Sequence, residues 1–431
     1  MWTKWAANAA LLIAGVIAFN GAERYRDPIG EKYVLLMPPG GADFFFPFAG
    51  ARALLTRQDP YLNHDPALAD PWRRGYGVVE GRQYRGLYPP THILVYVPLA
   101  WLLPDFREAS RALFHVNVAL LFLLAVLTWR LLFRVLVGEA DNRPASVLWL
   151  AFLVFALTGN VSSSFALERG DGGDILTAAL SWGAVLLFLK ERRFLCFFLL
   201  VPAVALKGYA VLLAAGLGLL SLKRTSWKPA LLGTLLSTLL FVVPVARYLP
   251  DAVTIIAHQH QEDVARIIWF NHSFRSLSLH LSSALAGPGQ WVLVGLSLLV
   301  SLYCWVHCRA ALGRRDSSGA ALWLTLFATS SLSVVLASGE TSYVYSLVIM
   351  LPGALIFVLA REPLAKTWGL STSGTVVLGA LQAATIFCLL KCRLWSPTLS
   401  LAGIGIVLFF ITLGAGFVWG RRGRSFPAPR P

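Results

Sequence analysis

The chain has 431 residues, is 57% apolar and carries only 14% charged residues. Soluble domains carry about 25%, so a soluble globular enzyme is excluded. The net charge of +15 would suit nucleic acid in a soluble protein, but most of the excess sits in short loops such as Lys190-Glu191-Arg192-Arg193 and in the tail Arg421-Arg422-Gly423-Arg424. Those are the usual cytoplasmic anchors of membrane helices, so nucleic acid is excluded as a partner.

Long apolar runs recur from residue 5 to residue 419, and no stretch is long or polar enough for a separate soluble domain. The chain therefore reads as an all-α polytopic membrane protein with about 11–13 transmembrane helices. The run 5–20, preceded by Lys4, resembles a signal peptide but lacks a convincing small-x-small cleavage site. It reads as a retained first span.

The first long polar stretch follows. Residues 41–61 place Asp43 ahead of Phe44, Phe45, Phe46, Pro47 and Phe48. Pro47 suits the first turn of a helix running to about Gln58, the phenylalanines suit a membrane surface, and Arg52 can reach headgroups or phosphate. Asp43 has two readings: a general base held before that helix, or an ordinary anion at a positive helix end. Asp59-Pro60-Tyr61 and Tyr88-Pro89-Pro90-Thr91 are turn or extended signals that bracket the rest of the loop.

Further spans are expected at 111–134, 145–159, 172–189, 228–246, 290–308, 319–337, 343–360, 372–390 and 398–419. Segments 89–103, 194–206 and 208–222 are too short for confident spans. Basic loops at 190–193, 223–228, 309–315, 361–366 and 421–424 belong inside, so 21–88, 160–171, 247–289, 338–342 and 391–397 face outward, with Lys391 and Arg393 in the last of these against the rule. Parity then forbids a full crossing by 89–103, unless a span is misassigned.

Three polar groups interrupt these runs. Glu168-Arg169-Gly170-Asp171-Gly172-Gly173-Asp174 packs four charges and three glycines into seven residues. Such groups pair or line a polar cavity, or else form an exposed turn. Lys207 is the sharpest intramembrane charge. It requires an anion such as a lipid phosphate, or a snorkelling path to headgroups. Asn271-His272-Ser273-Phe274-Arg275 combines amide, imidazole, hydroxyl and guanidinium, a set that suits sugar hydroxyls and phosphate or the polar face of a surface helix. It also contains a glycosylation sequon, as does Asn160-Val161-Ser162.

Cysteines 196, 304, 308, 388 and 392 fall within or at the ends of apolar runs and read as packing residues. The sequence contains no phosphate loop with its lysine, no His-Glu-x-x-His and no Gly-x-Ser-x-Gly. Asp43 has no adjacent acid, so neither a metal nor another cofactor is expected.

Several of these pieces form one pattern. Asp43-Phe44 with Ala49, Arg52 and Asp59-Pro60-Tyr61, then Tyr88-Pro89-Pro90 and Pro98-Leu99, resemble the first loop and second segment of the polyprenol-phosphate-sugar-dependent glycosyltransferases of family 87. Gly159-Asn160-Val161, Glu168-Arg169-Gly170-Asp171, Leu206-Lys207-Gly208-Tyr209 and Asn271-His272-Ser273-Phe274-Arg275-Ser276-Leu277 resemble its later motifs in the same order. The resemblance covers about residues 40–280. Gly208 stands where a proline is common in the family, and the second loop is Asp-rich where an amide is more usual.

The resemblance implies a GT-C fold, with one transferase domain over 1–420, outer loops about 21–92 and 247–289, short juxtamembrane helices in the first of them, and a cytoplasmic tail 421–431. It implies transfer of a sugar, often mannose, from a polyprenyl phosphate to a lipid or glycan acceptor on the outer face of a bacterial plasma membrane. Asp43 would be the base of an inverting transfer. Lys207, with Arg169 or Arg275, would hold the donor phosphate, and Glu168, Asp171, His272, Asn271 and Tyr88 would bind sugar or acceptor. The rival reading is a transporter or flippase of lipid-linked glycans, which would more naturally show paired repeats.

Overall fold

The computed structural model describes residues 44–61, 88–137, 144–159, 163, 166–167, 172–222, 227–250, 252–253, 273–274, 277–278, 286–338, 344–391 and 401–422. Every regular element among them is helical. In chain order they are α1 (Phe45–Leu55), α2 (Pro90–Val95), α3 (Val97–Leu102), α4 (Phe106–Val137), α5 (Pro144–Thr158), α6 (Gly172–Leu189), α7 (Arg193–Lys207), α8 (Val211–Leu222) and α9 (Trp227–Phe241). A 3₁₀ turn (Val243–Tyr248) precedes α10 (Ala286–Gly313) and α11 (Ser317–Ser338), and another (Val344–Ile349) precedes α12 (Leu351–Leu359), α13 (Arg361–Trp368), α14 (Thr372–Lys391) and α15 (Leu401–Arg422).

Four stretches, Phe106–Leu136, Gly287–Gly313, Ser317–Ser338 and Thr372–Leu389, are each long and apolar enough to cross a membrane, and four shorter helices are apolar as well. The chain is an integral membrane protein. Helix α11 is the centre: 94% of its most apolar window is buried, against 28% for α10. It packs against α4, α6, α8, α10, α12 and α15. Its many hydroxyls do not compromise that position. Thr325, Thr329 and Ser333 donate to the carbonyls of Ala321, Thr325 and Thr329, at 2.7, 2.8 and 2.7 Å, so these three hydroxyls are satisfied within the helix.

Helices in lipid gain little from apolar burial and associate by close packing. Small residues mark the tight crossings here. A Cβ on Gly353 would lie 1.7 Å from Thr329 Oγ1 and 2.7 Å from Trp182 Cη2. One on Gly416 would lie 2.4 Å from the Trp368 ring. Cys196, Cys304 and Cys308 are wholly buried and Cys388 nearly so, in packing positions. Cys392 lies outside the described residues.

Two expected spans are broken, and a third segment is too short to cross, as expected. The 228–246 stretch breaks after Phe241 into the 3₁₀ turn, because Pro244 lacks the donor an α-helix needs. The 343–360 stretch is a 3₁₀ turn, a turn at Met350 and then α12 with Pro352 in its first turn. Trp182 Nε1 donates to Ile349 O at 2.8 Å and satisfies a carbonyl at that break. The 89–103 segment is two six-residue helices joined at Tyr96, too short to cross.

Helix α1 packs on α2 and α3 and builds a second, smaller core with Phe44, Phe48, Tyr61, Ile93, Tyr96 and Ala100. This corrects the expectation that Phe44 and Phe48 face the membrane interface. Phe44 and Phe48 are wholly buried and turn toward Tyr96 and Phe106 rather than lipid. Helix α1 stops at Leu55, three residues short of Gln58. Arg52 donates to Pro104 O at 3.3 Å.

Candidate active site

Lys207 is the last residue of α7, and Gly208 caps the helix with φ of +73° and its N–H donating to Val204 O at 2.7 Å. That left-handed backbone is open to glycine and closed to proline, whose ring fixes φ near −65°. The residue that departs from the family pattern is therefore the one this turn requires.

Asp174 is the third residue of α6 and its side chain is wholly buried. Its position in the first turn places a carboxylate at the positive end of the helix dipole. Lys207 Nζ lies 3.0 Å from Asp174 Oδ2, with the lysine side chain 12% exposed and the aspartate 0%. The anion that the buried lysine requires is thus supplied in part by the protein, from the charged string at 168–174.

Tyr88 joins this pair, with Lys207 Nζ 5.5 Å from its ring centroid. The Tyr88 ring stacks on His92 at 4.4 Å, His92 meets Tyr96 at 5.4 Å, and Tyr96 meets Phe44 edge-on at 5.3 Å. This aromatic chain ties Lys207 to the residue that follows Asp43. The two turn motifs meet as well. Asp59 Oδ1 accepts from Tyr61 N at 2.8 Å, closing the turn, and Tyr61 OH donates to Tyr88 O at 2.7 Å. On the other side, Tyr209 OH lies 3.4 Å from Ser346 Oγ.

The arrangement is a buried cation–carboxylate pair flanked by a tyrosine face and an imidazole, where α2, α6 and α7 meet. Chemically it can hold an anion at the ammonium and stack a ring, such as a sugar, on Tyr88. Of the site residues expected from sequence, Lys207 and Tyr88 are described and lie together. Asp43, Glu168, Arg169, Asp171, Asn271, His272 and Arg275 lie outside the described residues. Phe274, next to Arg275, is wholly buried and meets Phe410 at 6.4 Å.

Sequence reasoning missed two residues at this site. Asp174 stood at the end of the charged string without a role of its own. His92 directly follows Tyr88-Pro89-Pro90-Thr91, and a lone histidine in an otherwise apolar segment was the available signal.

The sequence profile described as Glycosyltransferase family 87 matches residues 87–339, more than half of the chain. The crystal structure of ArnT from Cupriavidus metallidurans in the apo state is similar with a TM-score of 0.44 and 13% identity, covering 97% of this chain and 78% of that one. No curated protein matches the chain in sequence.

Proposed function

The chain belongs to glycosyltransferase family 87, and from that premise we propose that it moves a sugar from a polyprenyl-phosphate donor to a lipid or glycan acceptor on the extracytoplasmic face of a bacterial plasma membrane. That it is a membrane glycosyltransferase follows from the family and the apolar helices. The donor, with mannose or another hexose or pentose as its sugar, and the acceptor are our reading. So are a GT-C architecture in one domain over residues 1–420 and the independence from metal and cofactor.

The transfer is inverting. Asp43 takes the proton of the acceptor hydroxyl. That oxygen attacks the anomeric carbon from the face opposite the polyprenyl phosphate, as water does in inverting hydrolysis. Phosphate leaves readily, so no second carboxylic acid is required. Lys207, with Arg169 or Arg275, meets the charge that develops on the leaving group. Glu168, Asp171, Asn271 and His272 bind hydroxyls, and Tyr88 offers its face to the sugar ring.

The observation that carries this reading is the placement of Lys207 beside Tyr88, at the end of an aromatic chain that leads back to Phe44. An ammonium has three N–H donors and can serve a carboxylate and a phosphate together. The test is Asp43→Asn in membranes supplied with a labelled polyprenyl-phosphate sugar. Transfer falling at least a hundredfold is expected, on the order of the effect of a lost general base. Near-normal turnover would remove Asp43 from the mechanism.

A further inference from the structure

Asp174 has no part in the reaction as written, yet it fixes the ammonium on which the donor phosphate depends. Its carboxylate is wholly buried, sits in the first turn of a packed helix and lies 3.0 Å from Lys207 Nζ. It cannot swing to water when a second anion arrives.

The transfer changes the charge that faces this pair. The donor is a phosphodiester with a single negative charge. The acceptor O–H bond breaks and its proton goes to the Asp43 carboxylate. The acceptor oxygen bonds to the anomeric carbon. The bond from that carbon to the phosphate oxygen breaks, and its electron pair stays on the phosphate. Two negative charges enter, on Asp43 and the diester, and two leave, both on the product. Polyprenyl phosphate is a monoester, largely dianionic at neutral pH. A lone buried lysine would hold this product more tightly than the substrate and slow its release.

We propose that Asp174 is a positioning residue that limits how tightly Lys207 holds phosphate, weighting the site against the dianionic product and toward the monoanionic donor. The inference rests on reading Lys207 as the donor-phosphate ligand. A fixed carboxylate about 6 Å from the phosphate repels each added unit of charge. At an effective dielectric of about 20, one extra charge at that distance alters affinity by tenfold or more.

The test uses the full chain in detergent and two soluble probes: farnesyl phosphate, a monoester, and its methyl diester. Asp174→Asn is expected to bind the diester about tenfold and the monoester about a hundredfold more tightly, raising the preference for the monoester about tenfold, with lower kcat and stronger inhibition by product. An unchanged ratio in a variant that still melts cooperatively overturns the proposal. If Lys207→Gln binds both probes as wild type does, the reading of Lys207 fails and this inference fails with it. If Lys207→Gln weakens both probes while Asp174→Asn leaves their ratio unchanged, Lys207 stands and only the role of Asp174 is lost.

Discussion

A lysine at the end of an apolar helix is costly unless an anion meets it, and the Lys207–Asp174 pair meets that cost within the fold. Breaking one side of a buried pair leaves the other charge uncompensated, which typically costs about 3–5 kcal/mol. Lys207→Met is therefore expected to destabilise the chain by about 3 kcal/mol, because Asp174 keeps its buried carboxylate. Asp174→Asn combined with Lys207→Met, which removes both charges, should recover most of that loss. Melting of the single and double variants in detergent measures the coupling, and a loss for Lys207→Met below 1 kcal/mol would sink the claim of a buried pair. The need of Lys207 for an anion was legible in the sequence, since no hydrophobic pattern tolerates a bare ammonium. The partner was not. Glu168, Asp171 and Asp174 fall within seven residues, and only the start of α6 at Gly172 puts one of them into the packed helix. His92 was hidden for a similar reason. It is wholly buried and its ring meets those of Tyr88 and Tyr96, contacts that only the packed structure brings out.

Helix pairs here are set by glycines, and the atom each glycine faces decides whether a neighbour can compensate for a change. A Cβ on Gly216 of α8 would lie 2.2 Å from Phe327 Cζ of α11, a side-chain atom. One on Gly233 of α9 would lie 2.3 Å from the backbone oxygen of Phe194 in α7. That second crossing is also tied by Ser237 Oγ donating to Phe198 O at 2.8 Å. Both Gly→Ala changes overpack and should cost about 1–3 kcal/mol. Adding Phe327→Leu is expected to restore much of the stability of Gly216→Ala, because the smaller side chain clears the clash. No substitution at Phe194 should rescue Gly233→Ala, whose obstacle is the main chain. Melting midpoints of the four variants check this, and rescue of Gly233→Ala by Phe194→Ala would contradict it. At this scale most helices were legible from apolar length, as α4, α6, α10, α11 and α14 illustrate. The two misread stretches both carried a visible proline, Pro244 and Pro352, which the surrounding hydropathy outweighed. The burial of Phe44 and Phe48 was illegible for a different reason. An aromatic run suits a membrane surface and a protein core equally, and the choice lies with α2 and α3, which are distant in sequence.

For the molecule as a whole, the orientation and the depth proposed for the site rest on one helix. Helix α7 begins at the basic corner Lys190-Glu191-Arg192-Arg193, which the charge rule places inside, and ends at Lys207. Its 15 residues rise about 22 Å, against about 30 Å of hydrocarbon. On that rule the Lys207 turn lies short of the outer surface by several ångströms, and on the proposed function an acceptor would enter a recess while a lipid-linked donor approaches from the side. Single cysteines in a background without the five native ones test both parts of this geometry in intact cells. Lys190→Cys, at an exposed position, should resist a membrane-impermeant maleimide until the membrane is permeabilised. Tyr209→Cys should react from outside with a small charged methanethiosulfonate and at least tenfold more slowly with a bulky stilbene maleimide. Labelling of Tyr209→Cys only after permeabilisation would reverse the orientation. Equal rates with the small and bulky reagents would place the turn at the surface, and a lysine there would be an ordinary headgroup contact instead of the anchor of a recessed phosphate site.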